Sequence, residues 1–143
     1  MFRQFSLADL PRIMEIERSS FTVEAFRRSQ FKKIFKENTE GFFVAEISGK
    51  VVGYVVGSIS DRTGELDSLA VDPHYRGHRI GKKLVELIVD GWRERGIKRC
   101  LLRVRTTNDS AIEFYKRLGF QVVKTVKSYY DDDVEAYVMR KAL

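Results

Sequence analysis

Two glycines and four cations crowd into Leu69-Ala70-Val71-Asp72-Pro73-His74-Tyr75-Arg76-Gly77-His78-Arg79-Ile80-Gly81-Lys82-Lys83. The first residues read as a strand end, and those from Ile80 onward as an amphipathic helix, joined by a tight loop. The first amides of a helix lack partners within it and carry the positive end of its dipole, so such a junction attracts an anion. Gly77 and Gly81 have no Cβ and let backbone N–H groups approach a bound group closely. Arg76, Arg79, Lys82 and Lys83 add charge where a diphosphate would lie. Glycine with basic residues at a helix start also occurs in ordinary tight turns, so the pattern alone does not decide. A Walker-type loop is excluded because its Gly-Lys-Ser/Thr ending is absent, and the dinucleotide fingerprint fails on glycine spacing.

Three further side chains could move protons. Tyr115 lies on the stripe Ala111, Phe114, Tyr115, Leu118, where a tyrosine is ordinarily core. Glu65 and Asp67 stand two apart on one strand and therefore share a face. The lone Cys100 excludes an internal disulfide and a cysteine-built zinc site. His74 and His78 have no companion ligands nearby, so no metal is expected.

The elements that must carry these groups are legible from periodicity. Residues 2–5 read as a short strand and Ser6 with Asp9 as a capping pair for a helix through Leu7, Leu10, Ile13, Met14 and Ile16. A second helix is expected over 23–37. Its basic side (Arg27, Arg28, Lys32, Lys33, Lys36) reads as a solvated face. Strands follow at 42–47 and 51–59 around Ser48-Gly49-Lys50, then at 65–71 after the turn Asp61-Arg62-Thr63-Gly64. Next come a helix over 80–95 ended by Gly96, a strand over 98–104, and a helix from the cap Asn108 to Leu118 ended by Gly119. Strands at 120–126 and 134–139 enclose the acidic turn Asp131-Asp132-Asp133. The expected fold is α+β: one central, mostly antiparallel twisted sheet of about seven strands flanked by about four helices.

Composition agrees with a single domain over residues 1–143. The chain is 43% hydrophobic and 12% aromatic, enough for a real core. Its net charge of +6 favours anionic partners without choosing among them. No apolar run reaches the roughly 20 residues of a membrane span, and the start of the chain lacks the apolar stretch of a signal peptide. A cytoplasmic protein is expected, with no membrane partner.

The loop Arg76-Gly77-His78-Arg79-Ile80-Gly81 resembles motif A of the GNAT superfamily of acetyl-CoA-dependent N-acetyltransferases, Arg/Gln-x-x-Gly-x-Gly/Ala. The departure is Arg79, where the family usually has glycine. Asn108-Asp109-Ser110-Ala111-Ile112-Glu113-Phe114-Tyr115-Lys116-Arg117-Leu118-Gly119-Phe120 is similar to the family's Asn-x-x-Ala-x-x-x-Tyr-x-x-x-Gly-Phe stretch. The tail from Tyr129 to Met139 resembles the close of protein N-terminal α-acetyltransferases, including those acting on ribosomal proteins, with Asp133-Val134-Glu135 where they carry Gly-Glu-Asp. Residues 1–60 match only in the order of their elements.

The resemblance implies a GNAT fold and transfer of an acetyl group from acetyl-CoA, with no metal, to a primary amine. Backbone groups of Leu69, Ala70 and Val71 would contact the acetyl and pantetheine portion. Arg76 through Lys82 (Gly77, His78, Arg79, Ile80 and Gly81 between them) and Asn108 would hold the rest of the coenzyme. Tyr115 matches the family's general acid; a phenol near pKa 10 suits protonation of a departing thiolate. The base is less direct. Enzymes acetylating ribosomal-protein termini often carry a Glu where this chain has Arg103, and an arginine cannot accept the proton. The histone-acetylating branch uses a Glu at the place of Glu65, which is therefore the expected base, with Asp67 second. The alternative is that one of these carboxylates simply pairs with Arg103 across neighbouring strands.

Phe21, Tyr129 and Tyr130 match places where N-terminal acetyltransferases line the entry for a peptide's first residues. The expected acceptor is the α-amino group of a protein N-terminus; lysine side chains and small amines such as polyamines are rivals. A nucleic-acid module is not expected, for want of a groove helix or basic-aromatic strand motif. A non-catalytic acyl-CoA sensor is the third alternative, prompted by Arg103. The expected assembly is a monomer or weak homodimer, with a larger complex left open.

Overall fold

A computed structural model describes residues 1–20, 41–127 and 135–143, together with Lys33 and Lys36; of 18–20 it describes the backbone. Most of the expected helix over 23–37, the acidic turn, and the candidates Phe21, Tyr129 and Tyr130 lie outside the described residues.

The described elements are β1 (Phe2–Gln4), α1 (Leu10–Ser20), β2 (Phe42–Ile47), β3 (Lys50–Ser60), β4 (Thr63–Val71), α2 (Ile80–Glu94), β5 (Arg99–Arg105), α3 (Asp109–Arg117), β6 (Gln121–Val126) and β7 (Ala136–Ala142). They form a seven-stranded sheet in the order β1-β2-β3-β4-β5-β7-β6. Every adjacent pair is antiparallel except β4 and β5, which run parallel because α2 crosses over between them.

Core side chains separate by sheet face. Under α1 lie Leu10, Ile13 and Ile16 with Phe42, Tyr54, Val56 and Ala70. Under α2 lie Leu84, Ile88 and Trp92 with Val55, Leu66, Leu102 and Val104. Ser6 and Asp9 cap as expected, the Asp9 carboxylate accepting the Ser6 amide at 2.9 Å, although the first turn is 3-10.

One turn differs from expectation. Asp61 and Arg62 both take positive φ (48° and 61°) and close the hairpin in two residues, so Thr63 and Gly64 already belong to β4. Gly64 is there for packing: a Cβ would stand 2.4 Å from the Trp92 ring.

β4 carries the irregularity that matters for function. Its pairing with β3 shifts between Val56 and Gly57, whose partners are Ser68 and Leu66, leaving Asp67 as an extra residue. The alternation of faces therefore changes there. Gly64 and Leu66 face α2, and beyond the bulge so do Leu69 and Val71, while Ser68 and Ala70 face α1.

Candidate active site

β4 and β5 pair only from Thr63–Arg99 to Leu66–Leu102. Beyond that rung no pairing joins them, and β5 continues against β7. The right-handed twist pulls parallel neighbours apart once the ladder stops, leaving a cleft of about 1210 Å³. It is lined by β4 from Glu65 to Val71, by Arg103, Val104 and Arg105 of β5, by the loop into α2, and by Asn108, Phe114 and Tyr115.

The loop is fastened at its start. Asp72 accepts the His74 amide at 2.9 Å and faces His74 Nδ1 at 3.0 Å. It also pairs with Arg12 of α1, whose Nε donates to Val51 O at 2.9 Å. The His74 amide, helped by Arg12 against the cost of burial, holds the Asp72 carboxyl down to about 2. Gly77 takes φ 88° and Arg79 φ 59°, so Arg79 adopts a left-handed conformation that glycine takes more readily. The first helical bond of α2 runs from the Lys83 amide to Arg79 O at 3.1 Å, so the helix uses none of the amides before Lys83. Arg76, Gly77, Arg79, Ile80, Gly81 and Lys82 line the cleft; His78 does not. A Cβ at Gly81 would meet the Phe114 ring of α3 at 3.4 Å, an ordinary contact, so packing does not demand glycine there.

Leu69, Ala70 and Val71 line the cleft along its β4 wall, where they pair with β3 but not with β5. Their β5-side backbone groups thus have no strand partner among the described residues. Asn108 caps α3, accepting the Ala111 amide and the Ser110 hydroxyl, each at 3.2 Å, while also lining the cleft. Tyr115 is wedged edge-on between Phe114 and Phe120, with ring centroids 5.1 and 5.6 Å away. The ring packs as a core tyrosine would, and the residue also lines the cleft.

The carboxylates differ. Glu65 forms an ion pair with Arg103, as the alternative to a catalytic role had it; both side chains remain about a third exposed, at 37% and 32%. Asp67 is bonded to Ser58, and its Oδ2 is buried with no hydrogen-bond partner among the described residues. Burial pushes its carboxyl up to about 6, the Ser58 bond holding it back. Ser58 pairs with Glu65 across β3 and β4, so Asp67 lies on the Glu65 face as expected.

A third carboxylate was not anticipated. Glu17 of α1 is 1% exposed and lines the cleft floor. It accepts hydrogen bonds from Tyr54 and, at 3.1 Å, from Ser68 Oγ; the two hydroxyls are 3.2 Å apart. The signal was present, because Glu17 falls on the helical stripe Leu10, Ile13, Met14. Among the described residues no cluster suits a metal ion. Cys100 is buried, its thiol pushed up to about 12 by burial, and remote in character from a nucleophile. No helix among the described residues is long and apolar enough to cross a membrane.

Known proteins share this architecture. Residues 10–120 match the model of the acetyltransferase (GNAT) family. The chain is 33% identical to an N-alpha-acetyltransferase of Sulfurisphaera tokodaii, over 99% of this chain and 92% of that protein. It superposes on the crystal structure of Ard1 from Thermoplasma volcanium with a TM-score of 0.96 at 33% identity, covering 100% of this chain and 97% of that one. Against Naa20 of Chaetomium thermophilum, solved with a bisubstrate analogue, the TM-score is 0.91 at 27% identity, covering 100% and 86%. A split parallel pair, a basic loop at a helix start and a tyrosine facing the gap thus occur in a chain that belongs to the GNAT family of acetyl-CoA-dependent N-acetyltransferases.

Proposed function

We propose that this protein acetylates the α-amino group of protein N-termini, with Asp67 as general base and Tyr115 as general acid. The observation that carries the reading is Asp67 Oδ2, without a hydrogen-bond partner among the described residues, on a residue of the cleft that the basic loop also lines. Acetyl-CoA supplies the activated acetyl group as a thioester. The residues present suit it: Arg76, Arg79 and Lys82, with the spare amides before Lys83, suit phosphates, and the unpaired β4 edge at Leu69–Val71 suits an extended amide-bearing chain.

The acceptor amine attacks the thioester carbonyl carbon as the Asp67 carboxylate takes its proton. The C–S bond then breaks, and Tyr115 gives its hydroxyl proton to the departing sulfur. An ordinary Asp lies roughly 4 pH units below an α-amino group. At about 6, Asp67 narrows that gap to roughly 2, so proton capture is about 100-fold less unfavourable. Glu65 is a poorer choice because a proton would have to compete with Arg103 for its oxygen. The relatives' names support an α-amino acceptor: an N-alpha-acetyltransferase and Naa20 are among them. Within this reading the enzyme works in the cytoplasm on protein N-termini, as a monomer or weak homodimer.

The deciding experiment is acetyl transfer to peptides with free and blocked N-termini, each containing an internal lysine, with the acetyl group located by mass spectrometry. Acetylation of the α-amine alone is expected; modification of lysine alone would refute the acceptor assignment.

A further inference from the structure

β4 has one residue more than β3 can pair. Val56 pairs with Ser68 and Gly57 with Leu66, and Asp67 stands between. Continuing from Gly57–Leu66 by ordinary antiparallel steps would set Val56 opposite Asp67 and Val55 opposite Ser68. Val56 belongs to the α1-side core and Val55 to the α2-side core. In that other register Asp67 would take the place under α1 that Ser68 now holds, and Ser68 would turn to the opposite face.

The plain register would also turn Leu69 and Val71 away from the core under α2 and Ala70 away from the core under α1, and Glu17 adds a polar distinction between the two. In the observed one it receives the Ser68 hydroxyl at 3.1 Å alongside that of Tyr54. In the other it would lose that donor and meet a second carboxylate instead. At 1% exposure Glu17 is the most buried charged side chain among the described residues, so water cannot compensate for either change. A missing donor and a like charge both penalise the plain register. The bulged one leaves Asp67 bonded to Ser58, with Oδ2 unpartnered among the described residues.

We propose that Glu17 is a positioning residue that selects the bulged register of β4 and so aims Asp67 into the cleft. Its bearing on catalysis rests on the Asp67 reading given above, but the register itself can be read without turnover. Cross-strand backbone contacts between β3 and β4, measured by NMR, should show Val56 against Ser68 in the wild-type protein. In Ser68→Ala, which leaves Glu17 its Tyr54 bond and threatens folding little, contacts between Val56 and Asp67 should appear, and kcat should fall by up to about 100-fold as the base is displaced. Ser68→Thr keeps a hydroxyl and should restore both the pairing and most of the rate. Glu17→Leu should shift the register as Ser68→Ala does; should it fail to fold, Ser68→Ala still decides. Wild-type pairing in Ser68→Ala, whatever its activity, would overturn the proposal. A shifted register with undiminished kcat would uphold the role of Glu17 and refute Asp67 as the base.

Discussion

Arg103 of β5 forms an ion pair with Glu65 of β4 just where the two strands stop pairing. The pair occupies the face from which Asp67 and Ser68 are also reached, and it gives Arg103 a defined partner in the expected base, Glu65. With Glu65 engaged, the pair reads as a fixed rim of the cleft. At about a third exposure for each partner, the pair contributes about 0–1 kcal/mol to stability. Glu65→Gln should therefore lower kcat by less than about 5-fold and move Tm little, in contrast to changes at Asp67. A loss of more than about 100-fold, measured as thiol release at saturating substrates, would return the base role to Glu65.

Asp67→Asn should lower kcat by about 100-fold or more. In the wild-type enzyme kcat should fall with an acid limb near 6, and that limb should vanish in the variant. Stability should move the opposite way. The folded carboxyl is raised from 3.8 to about 6, so its charge costs stability fully above 6, and that cost fades as pH falls toward 4. Thermal melts at pH 8 should show Asp67→Asn more stable than wild type, and the advantage should vanish by pH 4.

Tyr115→Phe should lower kcat by about 10-fold to 100-fold with little change in Tm. The ring keeps its edge-on contacts with Phe114 and Phe120, and only the hydroxyl is lost. Unaltered turnover at saturating substrates would exclude Tyr115 as the acid.

Asp72 fastens the loop to α1. Its carboxyl is held down to about 2 from 3.8, so its stabilising effect is complete above about 4 and is lost as pH falls through 2. Asp72→Asn should narrow the difference in unfolding free energy between pH 6 and pH 2.5, measured by urea titration. It should also weaken acetyl-CoA binding measured by calorimetry, because the cap of the loop and its tie to Arg12 are loosened together.

Gly64→Ala should destabilise by about 1–3 kcal/mol, since a Cβ 2.4 Å from Trp92 forces the indole off its seat. The same substitution at Gly91, where a Cβ meets nothing within 4 Å, should not destabilise and serves as the control in chemical denaturation.

Local order could be read directly from the chain: alternating β-branched strands, amphipathic helices with their caps, and a glycine-bearing basic loop at a helix start. Those features depend on near neighbours, so Asn108 as a cap, the loop at 76–82 and the strand–helix–strand crossover were all legible. Even the bulge left a trace, because the apolar residues Leu66 and Leu69 break the two-residue period that Leu69 and Val71 resume. Which carboxylate has an ion-pair partner became visible only in the folded chain. Glu65 and Asp67 look equivalent along the strand, yet Arg103 arrives from a strand 38 positions further on and takes one of them. Glu17 meets Ser68 across 51 positions of chain. Charge pairing and burial are set by groups brought together only on folding, and neither spacing nor composition encodes who arrives at whose side.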